Sequence, residues 1–250
     1  MYLIHSSIGK QRLTGHIAVP IDVLRANTTM TTALANGCVA VKPFASVEDA
    51  TRFRTTFPHG AGNILCGGER GGVKIAGFDL GNSPLEYGRS AVQDRTLAFT
   101  TTNGTQAIAS CLTADQIALG SFVNITALVN FLSSCERVAL VCAGVRNNMA
   151  GEDVLFAGAV AERLCTDFGF KCPSTQYHLG LKIARTFWQT AQQRLNAGVT
   201  MESILSMTEG GKDLVNLNFL QDIEFAGRFD VFDIVPIYNR DTGYFTAMSI

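Results

Sequence analysis

The stretch Val138-Ala139-Leu140-Val141-Cys142 is apolar at every position, and a helical pattern over 151–168 follows it. A strand that is apolar on both faces is typical of the centre of a parallel sheet, which helices cover on both sides. Outward from this stretch β-rich runs alternate with helical patterns, which predicts an α/β fold of mainly parallel sheets with flanking helices. The other predicted strands in this part are His16–Ile21, Gly37–Val41, Asn63–Cys66, Thr96–Thr101 and Gln116–Leu119. The other predicted helices in this part are Thr29–Asn36, Val47–Thr56, Thr105–Leu112 and Val123–Ser134.

The pattern changes after residue 170, where helical segments follow one another. The predicted elements there are the helices Ser174–Leu195, Met201–Met207 and Phe219–Ala226 and the strand Val231–Ile237. No linker rich in Pro, Gly or Ser separates two parts of the chain. We therefore predict two tightly packed α/β lobes, over residues 1–117 and 118–250, and not two domains on a tether.

Charge and composition argue against several classes of protein. The 250 residues carry 20 basic and 21 acidic side chains, a net charge of −1, so we expect no binding to nucleic acid. No apolar run approaches the ~18 residues of a membrane helix, so we expect no membrane span. The start of the sequence shows no signal-peptide pattern, and the seven cysteines form no C-x-x-C pair, which indicates a cytoplasmic protein with reduced thiols. Charged residues make up only 16% of the chain, which favours a large core and a homodimer.

Polar side chains follow the first of these strands at residues 22–29, with the sequence DVLRANTT. Ligands of open α/β sheets bind beyond the carboxyl ends of strands, where helix N-termini offer free N–H groups. Asp22 could bind a metal ion or act as a nucleophile, and Arg25 could bind a phosphate. Thr28 and Thr29 could donate further hydrogen bonds. An Asp–Arg ion pair with a threonine helix cap is the alternative.

A glycine-rich segment occupies residues 67–84, GGERGGVKIAGFDLGNSP, with six glycines, two acids and two bases. Glycines let a backbone approach a ligand closely, and long loops in compact domains are often functional. The segment is neither a Walker A motif nor a G-x-G-x-x-G fingerprint that opens a helix. It indicates a ligand-binding loop, with a flexible surface hairpin as the alternative.

A third polar junction is the sequence TTTNGT at residues 100–105. The strand ends in hydroxyl side chains, and an Asn-Gly turn then enters a helix. This arrangement could bind an anion, and an ordinary turn with a helix cap is the alternative.

A weaker feature follows the strand that ends at Cys142. Gly144 ends the strand, and Glu152 and Asp153 begin the next helix. The two carboxylates could contribute to a site, although acids in a first helical turn are favoured by the helix dipole alone.

Several known site patterns are missing from the sequence. It contains no C-x5-R, D-x-D-x-[TV] or R-H-G motif, no H-E-x-x-H motif for zinc and no G-x-S-x-G motif. Carboxylates in loops therefore favour a hard, oxygen-loving ion, Mg²⁺ above all. A non-catalytic protein that binds small anions remains an alternative to an enzyme.

Taken in order, the motifs resemble the 2-phosphosulfolactate phosphatase family. The resemblance rests on IDVLRA at 21–26, GERGGVK at 68–74, GFDLGNSP at 77–84, TTNGT at 101–105, GSFVN at 120–124, VCAG at 141–144 and ED at 152–153. It implies two related α/β lobes with a site in the cleft between them. It also implies a Mg²⁺-dependent phosphatase that converts (R)-2-phospho-3-sulfolactate to 3-sulfolactate and phosphate, a step toward coenzyme M. Asn27, Val145–Gly151 and Ala226 depart from the expected pattern, so a phosphatase of another small phosphorylated hydroxy acid is the alternative.

On this basis we assign roles to twelve residues. The predicted catalytic residues are Asp22, Arg25, Glu69 and Asp79. The predicted Mg²⁺ ligands are Asp22, Glu69, Asp79 and, as a fourth, Asp153. The predicted substrate-binding residues are Thr28, Thr29, Arg70, Lys74, Asn103, Gly104 and Thr105, with Arg70 and Lys74 assigned to the carboxylate and sulfonate. The nucleophile is either a metal-activated water or Asp22.

Overall fold

The computed structural model describes residues 1–5, 13–56, 63–146, 148–171 and 177–250, and within them strands and helices alternate over most of the chain. The strands are β1 Tyr2–His5, β2 Ile17–Ile21, β3 Ala40–Pro43, β4 Ile64–Arg70, β5 Val73–Lys74, β6 Thr96–Thr100, β7 Gln116–Ile117, β8 Val138–Cys142, β9 Ile234–Asn239 and β10 Tyr244–Ser249. The helices are α1 Ala26–Ala35, α2 Val47–Thr56, α3 Arg89–Val92, α4 Gly104–Ser110, α5 Ile125–Ser133, α6 Gly151–Phe168, α7 Tyr177–Asn196, α8 Met201–Leu205, α9 Glu209–Asn216 and α10 Leu220–Ala226. The predicted α/β fold is confirmed.

The strands form two sheets. The first has the order β1-β8-β2-β7, and its strands are all parallel. The second has the order β5-β4-β6-β3-β10-β9, with β4, β6 and β3 parallel and the outer strands antiparallel. The edges of the two sheets meet, because the N–H of Leu119 donates to the carbonyl oxygen of Pro236 at 2.9 Å. Each sheet contains strands from both sides of residue 117, and the division into two related lobes stays a prediction.

Helices cover the sheets and close the core. The aromatic rings of Phe122 and Phe156 meet edge to face, and Phe122 stacks on Trp188. Helices α6 and α7 approach closely at Gly158, where a side chain would collide with the carbonyl oxygen of Ala184. None of the helices in the described ranges combines the length and apolar character needed to cross a membrane.

The cysteines of the described ranges are free thiols. Cys38, Cys66, Cys111 and Cys142 are buried, and burial raises the pKa of each of these thiols. These cysteines therefore act as apolar packing groups and not as nucleophiles. Cys172 lies outside the described residues.

The sheet order brings the polar junctions together. β2 and β8 are parallel neighbours, so the segment that begins at Asp22 lies beside the loop that follows Cys142. β4 and β6 are also parallel neighbours, so the glycine-rich segment lies beside residues 101–105. The carboxyl ends of these four strands are the place where a ligand site is expected.

Candidate active site

Residues from all four junctions surround a pocket of about 460 Å³. This volume lies within the range of small-molecule sites, roughly 300–1,000 Å³. Four of the predicted site residues line it, namely Asp22, Arg25, Glu69 and Asn103. Other lining residues had no assigned role: Asn82 and Thr102 lie within the quoted motifs, and Arg146, Asp213 and Leu217 lie outside them.

Asp22 is the carboxylate at the end of β2, and it is only 8% exposed. Its Oδ1 accepts a hydrogen bond from the N–H of Ala26 at 3.1 Å. Burial raises the pKa of Asp22 to about 7, against the opposing hydrogen bond from Ala26. The negative charges of Glu69 and Glu152 also raise this pKa, and the positive charge of Arg25 lowers it. An ionised Asp22 is therefore costly in this pocket unless a further cation neutralises it.

Gly104 begins helix α4 directly against Asp22. A Cβ at Gly104 would lie 2.7 Å from Asp22 Oδ2 and 2.6 Å from the Cβ of Ala26. Only glycine lets the backbone come this close to the carboxylate. Asn103 precedes Gly104 and lines the pocket, so the two predicted substrate-binding positions of this turn lie at the site.

Arg25 lies at the pocket but is bound by other parts of the protein. Its Nη1 donates to Oδ2 of Asp222 at 2.7 Å, and both side chains are 2% exposed. Its Nη2 donates to the carbonyl oxygen of Gly72 at 2.6 Å, and its guanidinium lies 4.3 Å from the centre of the Phe219 ring. Arg25 thus connects the start of α1 with the glycine-rich hairpin and α10. Its predicted contact with phosphate stays a prediction.

Glu69 connects two of the loops that line the pocket. Its Oε1 accepts a hydrogen bond from the N–H of Thr102 at 2.7 Å. Its Oε2 accepts hydrogen bonds from the N–H of Gly72 at 2.8 Å and from Oγ1 of Thr102 at 3.2 Å. Glu69 therefore fixes the tip of the β4–β5 hairpin against the junction between β6 and α4.

Asp79 is not brought to the pocket, which differs from its predicted place among the metal ligands. Its Oδ2 accepts from the N–H of Cys66 at 2.8 Å and pairs with Nη1 of Arg54 at 2.9 Å. Its side chain is 31% exposed. Asp79 and Glu69 are close in sequence, but the β4–β5 hairpin reverses the chain between them and returns Asp79 alongside the middle of β4, near helix α2.

Glu152 and Asp153 place two buried carboxylates behind Asp22. Oδ1 of Asp153 accepts from the N–H of Val23 at 3.0 Å, and its Oδ2 accepts from the N–H of Gly144 at 3.0 Å. Burial raises the pKa of Asp153, and the charges of Glu152 and Asp22 raise it further. Burial also raises the pKa of Glu152, against opposing hydrogen bonds from its own backbone, the Thr208 side chain and the Gly210 backbone. Its Oε2 is nevertheless buried with no partner of hydrogen-bonding geometry within the described part of the chain. Such an orphaned oxygen is uncommon in a folded protein and indicates a missing partner.

The threonines predicted to bind phosphate are buried and donate to the backbone. Thr28, Thr29 and Thr105 each direct the hydroxyl hydrogen to a carbonyl oxygen of a nearby loop. The acceptors are the carbonyl oxygens of Val23, Asn82 and Thr101, at 2.8, 2.8 and 2.9 Å respectively. These hydroxyls stabilise the loops of the site, and none of the three threonines is among the residues that line the pocket.

Arg70 and Lys74, predicted to bind the carboxylate and sulfonate, do not line the pocket either. Arg70 donates from Nη1 to the carbonyl oxygen of Glu69 at 2.7 Å and from Nη2 to Oγ1 of Thr100 at 2.9 Å. Lys74 is exposed on the short strand β5. Arg70 faces away from the pocket because adjacent side chains of a strand alternate between its faces, and Glu69 takes the face toward the pocket. Lys74 pairs directly with Glu69 across the hairpin and so shares its face, but its exposed side chain is not among the residues that line the pocket.

Two residues of the site carry no local sequence signal. Asp222 binds Arg25 across 197 positions of the chain, and its Oδ1 also accepts from Oγ of Ser83 at 2.6 Å. Arg146 lines the pocket from the loop after β8 and pairs with Asp213 of α9. Only the sheet order, which places that loop beside Asp22, could have indicated Arg146 from the sequence.

Comparison with known proteins identifies the family of the chain. A family model described as 2-phosphosulpholactate phosphatase matches residues 2–241. A protein of Thermotoga petrophila named "Probable 2-phosphosulfolactate phosphatase" is 39% identical over 220 residues, which cover 88% of this chain and 87% of the relative. Proteins with the same name from Pseudothermotoga lettingae and Symbiobacterium thermophilum are 35% and 37% identical, over 90% and 92% of this chain and 91% and 94% of the relatives. The family and the enzyme class predicted from the motifs are thus confirmed: the chain belongs to the 2-phosphosulpholactate phosphatase family and is a phosphoric monoester hydrolase.

Proposed function

We propose that the protein is a Mg²⁺-dependent phosphatase that hydrolyses the phosphate ester of (R)-2-phospho-3-sulfolactate, giving 3-sulfolactate and phosphate. The observation that carries the proposal is the buried Asp22 at the pocket, whose charge needs a cation. The names of the relatives support the choice of substrate. We further propose that the reaction serves as a step toward coenzyme M, in the cytoplasm.

The carboxylates around Asp22 fit a Mg²⁺ ion. Among the described residues no group of three or more His, Cys, Asp and Glu side chains is arranged to hold a metal ion by itself. Mg²⁺ rarely needs such a group, because it usually takes one or two carboxylates, several waters and a substrate phosphate. Asp22, which lines the pocket, would hold the ion. Glu152 would be the second carboxylate: it does not line the pocket, but its charge acts on Asp22 and its Oε2 is buried without a partner in the described part of the chain. Glu69 and Asp153 stay predicted ligands.

The proposed reaction depends mainly on charge stabilisation. Phosphate monoesters hydrolyse so slowly that enzymes accelerate the reaction by up to ~10²¹, whereas one general acid or base supplies only ~10²–10⁴. A bound Mg²⁺ would neutralise charge on the phosphate as it is transferred. The side-chain amide of Asn103 can donate to a phosphate oxygen, and Leu24 and Leu217 add apolar surface to the pocket wall.

Asp22 has one of two roles in bond breaking. In one route Asp22 attacks phosphorus as the ester oxygen leaves, and water then hydrolyses the acyl phosphate. In the other, Asp22 would hold the metal ion that activates a water; this water attacks phosphorus directly, and the proton that it loses passes to the leaving ester oxygen. Quenching a single turnover with borohydride separates these routes, because borohydride reduces an acyl phosphate at Asp22 to homoserine, which mass spectrometry detects. Homoserine at position 22 supports direct attack, and an unmodified Asp22 supports the water route.

The proposed function is tested by phosphate release from 2-phosphosulfolactate. We expect activity that is lost in chelator and restored by Mg²⁺, and that Asp22→Asn abolishes. Asp79→Asn is the matched control, because it makes the same chemical change in a carboxylate outside the pocket. A protein that hydrolyses the substrate equally well in chelator, or with Asn at position 22, would contradict the proposal.

The choice of substrate needs its own comparison. The values of kcat/KM for 2-phosphosulfolactate, 2-phospholactate and 2-phosphoglycerate decide between this substrate and another small phosphorylated hydroxy acid. The highest value for one of the latter two would support the alternative that the motifs left open. The predicted homodimer stays a prediction, which sedimentation would test.

A further inference from the structure

Arg146 is an exposed cation on the wall of the pocket. It lies in a turn that two hydrogen bonds close. The N–H of Val145 donates to the carbonyl oxygen of Asn148 at 3.0 Å. In return, the N–H of Asn148 donates to the carbonyl oxygen of Val145 at 2.9 Å. Arg146 has a φ of 50°, in the left-handed region that residues other than glycine rarely adopt. Arg146 therefore reaches the pocket from a position directly after Val145, which is hydrogen-bonded to Asn148 in both directions.

The partner of Arg146 in the structure is easily exchanged. Its Nη2 pairs with Oδ2 of Asp213 at 2.9 Å, and the two side chains are 74% and 42% exposed. Ion pairs this exposed contribute little to stability, because water and salt screen both charges. A guanidinium has five N–H donors in a planar fork, so a bidentate anion would bind it better than this single contact. Asp213 also lines the pocket, so Arg146 can leave it for a ligand without leaving the site.

The charge of the pocket gives Arg146 a task that no other described lining residue can take. Among those residues two are basic, Arg25 and Arg146. Arg25 is 2% exposed and already bound to Asp222. Arg70 and Lys74 lie outside the lining. Asp22 and Glu69 are acidic residues of the pocket lining. They would repel a second anionic group of the substrate, next to the phosphate. That group therefore needs a cation elsewhere in the pocket lining.

We propose that Arg146 binds one of the two anionic groups that are not transferred, the carboxylate or the sulfonate, and releases Asp213 when it does so. Arg146 thereby selects phosphate esters that carry a second anion over simple phosphate esters. The inference rests on the proposed function, because it assumes that the phosphate lies at the Asp22 end of the pocket.

Calorimetric binding of products and product fragments tests this role. The ligands are 3-sulfolactate, lactate, 2-hydroxyethanesulfonate and inorganic phosphate, each with Mg²⁺. We expect Arg146→Gln to weaken 3-sulfolactate binding roughly 10- to 100-fold, since it removes charge-assisted hydrogen bonds, and to change phosphate binding less than about threefold. Asp213→Asn should strengthen 3-sulfolactate binding about two- to fivefold by freeing Arg146. Arg228→Gln is the control, because Arg228 is 55% exposed and paired with Glu224 away from the pocket.

The two single-anion ligands show which group Arg146 binds, since lactate carries only the carboxylate and 2-hydroxyethanesulfonate only the sulfonate. Equal affinity of Arg146→Gln and the wild type for 3-sulfolactate would overturn the inference, and so would equal losses for 3-sulfolactate and phosphate. Phosphate release by the same proteins separates the two proposals. Arg146-dependent binding without hydrolysis refutes the phosphatase function and keeps the anion site. Hydrolysis with Arg146-independent binding refutes the role of Arg146 alone.

Discussion

Replacing Asp22 with asparagine is expected to make the metal-free protein more stable at neutral and alkaline pH. Asparagine keeps the shape of the side chain and an oxygen that accepts from the N–H of Ala26. Burial raises the pKa of Asp22 from 3.8 to about 7. Between these two values the native state keeps a proton that the unfolded chain has released. The free energy of unfolding of the wild type therefore falls as pH rises through this interval.

The size of this effect follows from the shift in pKa. A shift of about three units at roughly 1.36 kcal/mol per unit corresponds to about 4 kcal/mol. Asp22 is only 8% exposed, so solvent screening reduces this value little. Asparagine has no proton to lose at this position. The advantage of Asp22→Asn should therefore grow from about 2 kcal/mol at pH 5 to about 4 kcal/mol above pH 7.

Urea unfolding at pH 5, 6, 7 and 8, followed by circular dichroism in the presence of chelator, measures this difference. Asp241→Asn is the control, since Asp241 is exposed at the turn between β9 and β10 and loses little hydration on folding. Added Mg²⁺ should reduce the advantage of Asp22→Asn, because it stabilises the ionised wild type. An advantage that stays constant across this pH range, or a wild type that is more stable at pH 8, would refute the reasoning.

Three further substitutions test the packing that holds the site. Gly104→Ala should lower kcat strongly with a smaller effect on thermal stability, because the added methyl group meets the carboxylate of Asp22; unchanged phosphate release would contradict this. Gly158→Ala should lower the free energy of unfolding in urea by about 1–3 kcal/mol, because the methyl group collides with a carbonyl oxygen of α7. A free energy equal to that of the wild type would show that α6 and α7 can move apart without cost. Asp222→Ala should cost about 3–5 kcal/mol, because it leaves the guanidinium of Arg25 buried without its carboxylate, and a loss below 1 kcal/mol would contradict the importance of that pair.

Elements with a strong local pattern could be predicted from the sequence with their bounds. The observed strand Val138–Cys142 and the helix Gly151–Phe168 match the predicted ranges. The strand is apolar at every position, and a glycine follows the helix in the left-handed conformation that commonly ends helices. Both signals depend only on neighbouring residues, so they can be recognised in the sequence without knowledge of the tertiary fold.

Helix α9 could not be predicted because two glycines stand in its first turn. Glycine disfavours helix by about 1 kcal/mol relative to alanine, so the pattern indicates a loop. In the structure Gly210 packs against the carboxylate of Glu152, and Gly211 packs against the carbonyl oxygen of Leu205. A larger side chain would collide at either position. Tertiary packing thus requires glycine at two positions where its low helix propensity disfavours a helix.

The site residues likewise divide into those that the local sequence could place and those whose position depends on distant parts of the chain. Asp22, Glu69 and Asn103 could be placed at one pocket because each lies at or just after the carboxyl end of a parallel strand. Asp79 could not, because its position depends on how the β4–β5 hairpin folds back. The residues around Arg25 do not indicate that it pairs with Asp222, which follows 197 positions later.

The parallel pairing of β2 with β8 has a consequence for synthesis of the chain. Ile17 pairs with Val138, 121 positions later, and Val41 of β3 pairs with Phe245 of β10, 204 positions later. The apolar strand β2 is therefore synthesised early and lacks this neighbour until β8 has left the ribosome. Such distant pairings slow folding and leave strand edges open to aggregation. We expect the nascent enzyme to depend on chaperones that cover β2 until its neighbour has been translated.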